Sequence, residues 1–255
     1  MARIFITGST DGLGRAAAHT LMGEGHSVVL HARSRDRAAA LVDNLPDAED
    51  VVIGDLSSST EVLSVAEQVN RIGRMDAIIQ NAGIYLESRR GSTPNGHATT
   101  FAVNVLAPYL LTASIERPDR LIYISSGMHL DARGSLDDID WSERQWSASQ
   151  AYCESKLFLT TLGMTVARHW PDVLSNVVDP GWVPTKMGGA AATDDLEMGH
   201  LTQSWLATSQ DPAAMVSGGY WHHLSRQSSA RETLDPGFQD QLMAKLLTFT
   251  GTELF

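Results

Sequence analysis

Residues 3–14 read RIFITGSTDGLG, and this stretch decides the fold because an apolar run passes directly into a glycine-rich turn. The run that ends at Thr7 predicts a buried β-strand. A helical pattern continues from Arg15 to Met22. In this order the glycines let the backbone approach pyrophosphate, and the helix N-terminus presents free N–H groups to the anion. The stretch therefore predicts a dinucleotide-binding unit, with an ordinary tight turn as the alternative.

Length and composition narrow the classes of protein further. The 255 residues are 43% apolar, which suits one α/β domain that spans residues 1–255. A formal net charge of −11 argues against nucleic acid binding through a basic surface. The single Cys153 excludes an intramolecular disulfide, and no apolar run reaches the ~18 residues of a spanning helix. We therefore expect a cytoplasmic protein with no membrane span and no nucleic acid partner.

The end of the second predicted strand indicates which dinucleotide is bound. Val28 to Leu30 form this strand, and His31-Ala32-Arg33 follow it. NAD sites commonly present a carboxylate to the ribose 2′-hydroxyl at this point, and this chain offers none there. The guanidinium of Arg33 suits the 2′-phosphate of NADP instead, with Arg35 and Arg37 as weaker candidates. The alternative is that all three arginines are solvated charges at the start of a helix.

Further candidates follow the third and fourth predicted strands. Asp55-Leu56 come after the third strand, and Asn81-Ala82-Gly83 come after the fourth. Asp55 either caps the helix that begins near Ser58 or accepts a hydrogen bond from the adenine amino group. Gly83 permits close backbone approach at the carboxyl end of a strand, where ligands bind in open α/β sheets.

Tyr152 and Lys156 lie four residues apart in a stretch, 149–170, whose apolar pattern predicts a helix, so they share one helical face. A lysine ammonium beside the phenol favours the phenolate, and we expect it to pull the tyrosine pKa from ~10 toward neutrality. The pair would then act as a general acid and base at cellular pH. The alternative is a half-buried ring next to a solvated charge.

Taken together, these motifs resemble those of the short-chain dehydrogenase/reductase family. The matching stretches follow the family's order over most of the chain: 7–14, Asn81-Ala82-Gly83, Asn104, Ser125-Ser126, 152–156 and Pro180-Gly181. Within the family the chain looks like the NADP-preferring branch of retinol dehydrogenases and light-dependent protochlorophyllide reductases. The resemblance implies a single doubly wound (Rossmann) parallel sheet with helices on both faces. It also implies reversible hydride transfer between NADP(H) and a small carbonyl or alcohol substrate.

The resemblance implies roles for individual residues. Ser126 would polarise the carbonyl, Tyr152 would be the general acid, and Lys156 would bind the nicotinamide ribose and lower the tyrosine pKa. Asn104 would hold a relay water, although a buried amide bonded to backbone is its alternative. Thr185 would reach the nicotinamide carboxamide or the phosphates. The expected cofactor site comprises Gly8, Ser9, Thr10, Gly12, Leu13, Gly14, Arg33, Asp55, Leu56, Asn81, Ala82, Gly83, Tyr152, Lys156, Pro180, Gly181, Val183 and Thr185.

Some segments depart from the family pattern or remain open. Gln80 stands where the family commonly has a second Asn. Residues 129–149 form an excursion that we expect at the rim of the active site. Residues 183–209 form either a lid over the substrate or a helix pair packed on the core. The tryptophans in and near these segments hint at an apolar substrate, and the short helix before the fifth strand leaves a homo-oligomer open.

Two further alternatives concern function. His222-His223 could suggest a metal site, but adjacent strand residues point to opposite faces and no carboxylate or cysteine pattern accompanies them, so we expect no metal. A catalytically silent protein that senses a dinucleotide is the alternative to an enzyme. Loss of Tyr152 or Lys156 would favour such a sensor, and both residues are present.

Overall fold

The computed structural model describes residues 1–85 and 89–255. Within these ranges the strands are β1 (Arg3–Ile6), β2 (Ser27–Ala32), β3 (Asp50–Ile53), β4 (Ala77–Gln80), β5 (Arg120–Ile124), β6 (Leu174–Asp179), β7 (Gly219–His222) and β8 (Ser225–Gln227). They form one sheet in the order β3-β2-β1-β4-β5-β6-β7-β8. Neighbouring strands are parallel from β3 to β7, and β8 is antiparallel to β7.

Helices cover both faces of this sheet, as the sequence predicts for a doubly wound fold. The helices are α1 (Gly12–Gly23), α2 (Arg35–Asn44), α3 (Ser59–Ile72), α4 (Thr99–Phe101), α5 (Ala107–Ser114), α6 (Ala148–His169), α7 (Leu196–Thr208) and α8 (Pro236–Thr250). One buried core joins α3, α5, α6 and α8 to the sheet, and a second joins α1, α2 and α7 to the opposite face. The carboxyl ends of β1 to β7 therefore meet at one edge, between the two helix layers.

The last two strands, β7 and β8, form a hairpin that the sequence does not indicate. We predicted Gly219–His222 as the final edge strand, but β8 lies outside it. The two residues between β7 and β8 are His223 and Leu224, with φ values of 45° and 62°. Such two-residue turns need positive φ at both positions and usually contain Asn or Gly. Because His and Leu seldom adopt this backbone, the prediction missed the hairpin.

The excursion at 129–149 is a packed part of the molecule. The rings of Trp141 and Trp146 meet edge to face at 5.5 Å, and the guanidinium of Arg144 lies 3.7 Å from the centroid of the Trp141 ring. Arg144 also forms an ion pair with Glu154, which is fully buried on α6. Trp141 and Trp146 therefore help to anchor the excursion on α6, and the position of residues 129–149 at the rim of the active site stays a prediction.

The segment 183–209 is also only partly a loop. Its second half is α7, which packs on α1 and places the ring of Trp205 5.4 Å from that of Trp221. The prediction of a mobile lid therefore narrows to residues 183–195. None of the helices in the described part of the chain is long and apolar enough to cross a membrane.

Candidate active site

A cleft of about 390 Å³ opens at the carboxyl edge of the sheet. Its walls include most of the predicted cofactor residues: Gly8, Thr10, Gly12, Leu13, Arg33, Asp55, Leu56, Asn81, Ala82, Gly83, Tyr152, Lys156, Pro180 and Thr185. The predicted residues that do not line it are Ser9, Gly14, Asn104, Ser126, Gly181 and Val183. The structure thus brings the glycine-rich turn and the Tyr152–Lys156 pair, far apart in sequence, to one cavity of the size that small ligands occupy.

The glycine-rich turn is shaped by two residues that we had placed in the cofactor site. Ser9 is fully buried, and its hydroxyl donates to the carbonyl of Ile6 and accepts from the amide of His31. A Cβ on Gly14 would lie 2.5 Å from the side-chain nitrogen of Asn81 and 2.6 Å from the carbonyl oxygen of Gly8. Both residues hold the turn together and neither lines the cleft, so their contact with a bound cofactor stays a prediction.

His31 is a part of this site that we did not predict. Its Nδ1 accepts a hydrogen bond from the Gly8 amide at 3.0 Å, and its Nε2 donates to the Gly54 carbonyl at 2.9 Å. Burial lowers the pKa of His31, so the ring is neutral and each nitrogen has one partner. His31 therefore ties the glycine-rich turn to the end of β3. A histidine at the end of a buried strand is the only sequence signal.

The end of the cleft beside α2 carries two exposed arginines. Arg33 and Arg37 both line it, and Nη1 of Arg37 donates to the Thr10 hydroxyl at 3.4 Å. Arg37, which ranked below Arg33 from sequence, is thus held beside the turn, whereas Arg35 does not line the cleft. Arg35 and Arg37 both lie on the first turn of α2, but residues two apart on a helix point in different directions, so only Arg37 lines the cleft.

Asp55 lines the same end and does not cap α3. Its Oδ1 accepts a hydrogen bond from the Ser57 amide at 2.9 Å, and the helix is capped by Ser58, whose hydroxyl accepts from the Glu61 amide at 3.4 Å. The capping alternative for Asp55 is therefore wrong. The carboxylate remains at the cleft wall beside Leu56.

Tyr152 and Lys156 lie on α6 and are almost wholly buried, with 9% and 3% of their surface exposed. The Lys156 ammonium is 5.6 Å from the centroid of the Tyr152 ring and donates a hydrogen bond to the Ile124 carbonyl at 2.8 Å. The side chain of Ser126 is close enough to the Tyr152 hydroxyl to lower its pKa. Ser126 therefore stands next to the tyrosine even though it lies outside the wall of the cleft.

Burial dominates the proton affinities of this pair. It raises the pKa of Tyr152 to about 12, against the hydrogen bond from Ser126, which lowers it. Burial also lowers the pKa of Lys156 to about 8, against the carboxylate of Asp179, which raises it. The expectation that the ammonium pulls the tyrosine pKa toward neutrality is wrong for this structure. The sequence spacing shows that the two groups are close but does not show how far both are removed from water.

Asn104 occupies a π-helical stretch, Ala102–Leu106, between α4 and α5. Its Oδ1 accepts from the Ile84 amide at 2.9 Å, and its Nδ2 donates to the Ile84 carbonyl and to the Ser155 hydroxyl, both at 3.0 Å. The alternative of a buried amide bonded to backbone is therefore what the structure contains. Any relay function must coexist with these bonds.

The loop after β6 closes the other end of the cleft. Asp179 accepts a hydrogen bond from the Gly181 amide at 3.0 Å, and Gly181 has a φ of 81°. The rings of His222 and His223 stack at 3.8 Å, because His223 lies in the hairpin turn and not on the strand. The argument that these histidines point to opposite faces is therefore wrong. Among the described residues, no three potential metal ligands come together.

Comparison with known proteins gives consistent results. The family model for short chain dehydrogenase matches residues 2–128. The chain is 44% identical to the short-chain dehydrogenase chyC of Penicillium rubens, over 100% of this chain and 99% of that protein. It is 38% identical to the short-chain dehydrogenase chry4 of Gibberella zeae, over 100% and 99%. It is 25% identical to human retinol dehydrogenase 13, over 98% and 85%.

Solved structures share the fold. A crystal structure of a protein from Mycobacterium paratuberculosis superimposes with a TM-score of 0.86 at 23% identity, covering 100% of this chain and 95% of that one. A blue fluorescent protein from a metagenomic library, in complex with NADPH, superimposes with a TM-score of 0.70 at 23% identity, covering 87% and 95%.

Proposed function

The chain belongs to the short-chain dehydrogenase family, and from this premise we propose that it transfers hydride between NADP(H) and a carbonyl or alcohol substrate. Its relatives include short-chain dehydrogenases and a retinol dehydrogenase, which supports an enzyme that acts on CH–OH and C=O groups. The observation that carries the proposal is the single cleft in which the glycine-rich turn, Arg33, Tyr152 and Lys156 meet.

The residues of this cleft fit such a cofactor. A Cβ on Gly83 would lie 3.2 Å from the Lys156 ammonium, and one on Gly12 would lie 3.3 Å from Thr185 Cγ2, so glycine keeps both approaches open. The turn at 8–13 would hold the pyrophosphate with backbone amides. Asp55 and Leu56 would hold adenine, Lys156 would hold the nicotinamide ribose, and Pro180 and Thr185 would hold the nicotinamide.

Preference for NADP(H) follows from the charges at the adenosine end. Arg33 and Arg37 both line that wall, and a guanidinium binds a phosphate through two parallel N–H bonds. Asp55 also lines that wall, after the end of the neighbouring strand, and its carboxylate accepts a hydrogen bond from the Ser57 amide. The metagenomic protein that was crystallised with NADPH has the same fold as this chain, and its support for NADP(H) is limited to that likeness.

In reduction, the chain's own residues would handle the carbonyl oxygen. Ser126 and Tyr152, whose side chains neighbour one another, would both donate to that oxygen. The bound nicotinamide supplies or accepts the hydride. Tyr152 would deliver the proton, and its raised pKa keeps it protonated at neutral pH, as a general acid requires. Lys156 would bind the ribose, and its hydrogen bond to the Ile124 carbonyl holds the ammonium group in place.

The test is NADPH oxidation with a panel of aldehydes and ketones. Tyr152→Phe keeps the ring and removes the acid, so turnover should fall by about 10²-fold or more while NADPH still binds. The matched control is Tyr109→Phe, because Tyr109 is also buried but its hydroxyl donates to the Thr252 carbonyl, away from the cleft. Equal turnover in wild type and Tyr152→Phe would refute the assignment of the acid.

The silent dinucleotide sensor predicts a different outcome, namely tight NADPH binding with no turnover of any carbonyl by the wild-type protein. The buried phenol, next to Ser126 and in one cleft with Lys156, favours the enzyme. A homo-oligomer and a cytoplasmic location stay predictions alongside this proposal.

A further inference from the structure

Asp179 is an acidic side chain in the catalytic region that the proposed reaction does not use. It ends β6, and β6 pairs with β5 so that Val178 lies opposite Ile124, directly before Ser125 and Ser126. Val177, two residues earlier on the same strand, belongs to the core that includes α6. Because side chains alternate along a strand, Asp179 points to the same side of the sheet as α6, which carries Tyr152.

One oxygen of this carboxylate is occupied and the other is available. Oδ1 accepts the hydrogen bond from Gly181. Oδ2 accepts none from the described residues, and Nδ1 of His222 lies 3.5 Å from it. A Cβ on Gly127 would lie 3.0 Å from Oδ2, so the glycine after Ser126 leaves the approach to this oxygen open. The side chain keeps 16% of its surface exposed.

The surroundings fix the carboxylate in position. His222 Nδ1 donates to the Asp179 carbonyl at 3.2 Å, and His223 Nε2 donates to the Pro180 carbonyl at 3.3 Å. His223 has a φ of 45°, a backbone conformation that costs free energy in a residue other than glycine. Such a conformation persists where surrounding contacts fix it, and here the contact of His223 with Pro180 holds the segment that follows β6.

The charge of Asp179 also reaches the catalytic pair. It is the only carboxylate among the described residues that raises the pKa of Tyr152, and it raises that of Lys156 as well. Because Oδ2 lies beside Gly127, the residue after Ser126, the carboxylate is placed to meet a group that neighbours the reacting carbon of a substrate.

We propose that Asp179 is a specificity-determining residue that accepts a hydrogen bond from a hydroxyl or ammonium group next to the substrate carbonyl. The inference rests on the proposed function and narrows its substrate class to α-hydroxy or α-amino ketones with an apolar body. The apolar body would lie against Ile84, Val103 and Met187, which line the cleft. A site built around a hydrogen-bond acceptor discriminates strongly against analogues that lack the donor.

The experiment compares 2-hydroxyacetophenone with 2-methoxyacetophenone, which withdraws electrons similarly but has no donor. We expect the wild-type kcat/KM to favour the hydroxy ketone by about tenfold or more. Asp179→Ala should bring this ratio near one, and Asp179→Asn, which keeps an acceptor for Gly181, should give an intermediate value. Asp172→Asn, which removes an exposed carboxylate paired with Arg117, is the control and should leave the ratio unchanged.

The ratio separates recognition from damage, because a misfolded variant loses activity toward both ketones equally. Equal turnover of both ketones by the wild type, or an unchanged ratio in Asp179→Ala, would overturn the inference and leave the proposed function intact. Absence of NADPH-dependent turnover of any carbonyl would instead refute the proposed function. Calorimetric titration of the NADP⁺ complex with the two ketones measures the same preference without turnover, and no difference in affinity there would also overturn the inference.

Discussion

Replacing Arg33 and Arg37 by alanine, singly and together, tests how the chain chooses between NADPH and NADH. Both guanidinium groups line the end of the cleft where we propose that adenosine binds, and Arg37 is held by the Thr10 hydroxyl. A charge-assisted hydrogen bond contributes on the order of 1.5–3 kcal/mol, and both side chains are exposed, so the lower end applies. Each arginine should then be worth about tenfold in NADPH affinity, since ~1.4 kcal/mol is tenfold.

The assay is the dissociation constant of each cofactor, measured by fluorescence titration at two salt concentrations. NADPH should bind about tenfold more weakly to each single variant and up to about a hundredfold more weakly to the double variant. NADH should be nearly unaffected, and the salt sensitivity of NADPH binding should decrease. Arg35→Ala is the matched control, because Arg35 is exposed on the same helix turn but does not line the cleft. Equal losses for NADPH and NADH, or a loss in Arg35→Ala as large as in the others, would refute this account.

Three other predictions follow from the site. Alcohol oxidation needs the Tyr152 phenolate, so its rate should still be rising at pH 10, because the tyrosine pKa is about 12. Asp179→Asn removes a charge that raises this pKa and should move the rise in rate to lower pH. A wild-type rate that levels off near neutral pH would contradict the structure. Gly14→Ala places a Cβ 2.6 Å from the Gly8 carbonyl oxygen and should lower the melting temperature and abolish cofactor binding, whereas Gly23→Ala, with open space at its Cβ, should do neither. His31→Phe removes the contacts to Gly8 and Gly54 and should weaken NADPH and NADH equally in titrations, unlike the arginine variants, so a selective loss of NADPH would exclude a role in shaping the turn.

The fold and the general position of the site could be predicted because their signals are local. A short apolar run, the glycine-rich turn and a helical pattern specify a phosphate-binding unit within residues 3–22, and parallel strands bring every strand end to one edge. Tyr152 and Lys156 needed only helical spacing to be placed on one face. Once the edge was known, most residues at the strand ends had to line the same cleft.

What could not be predicted depends on long-range packing. The pKa of Tyr152 is set by burial, which the spacing of two residues does not report. The apolar residues of 196–208 fit a lid as well as a packed helix, and only their contact with α1 decides between them. Ser9 belongs to the glycine-rich motif but faces His31, a partner 22 residues away in sequence. The hairpin after β7 depends on an unusual backbone at His223 and Leu224, for which the residue types give no signal.

The most direct test of the central claim is transfer of deuterium from NADPH labelled at nicotinamide C4 to a ketone, followed by NMR of the alcohol formed. The account predicts deuterium on the carbinol carbon with the wild-type protein and with Tyr109→Phe, and a loss of at least about 10²-fold in its rate of appearance with Tyr152→Phe, which still binds NADPH. Tight NADPH binding by the wild type without transfer to any ketone, or transfer that is undiminished in Tyr152→Phe, would contradict it.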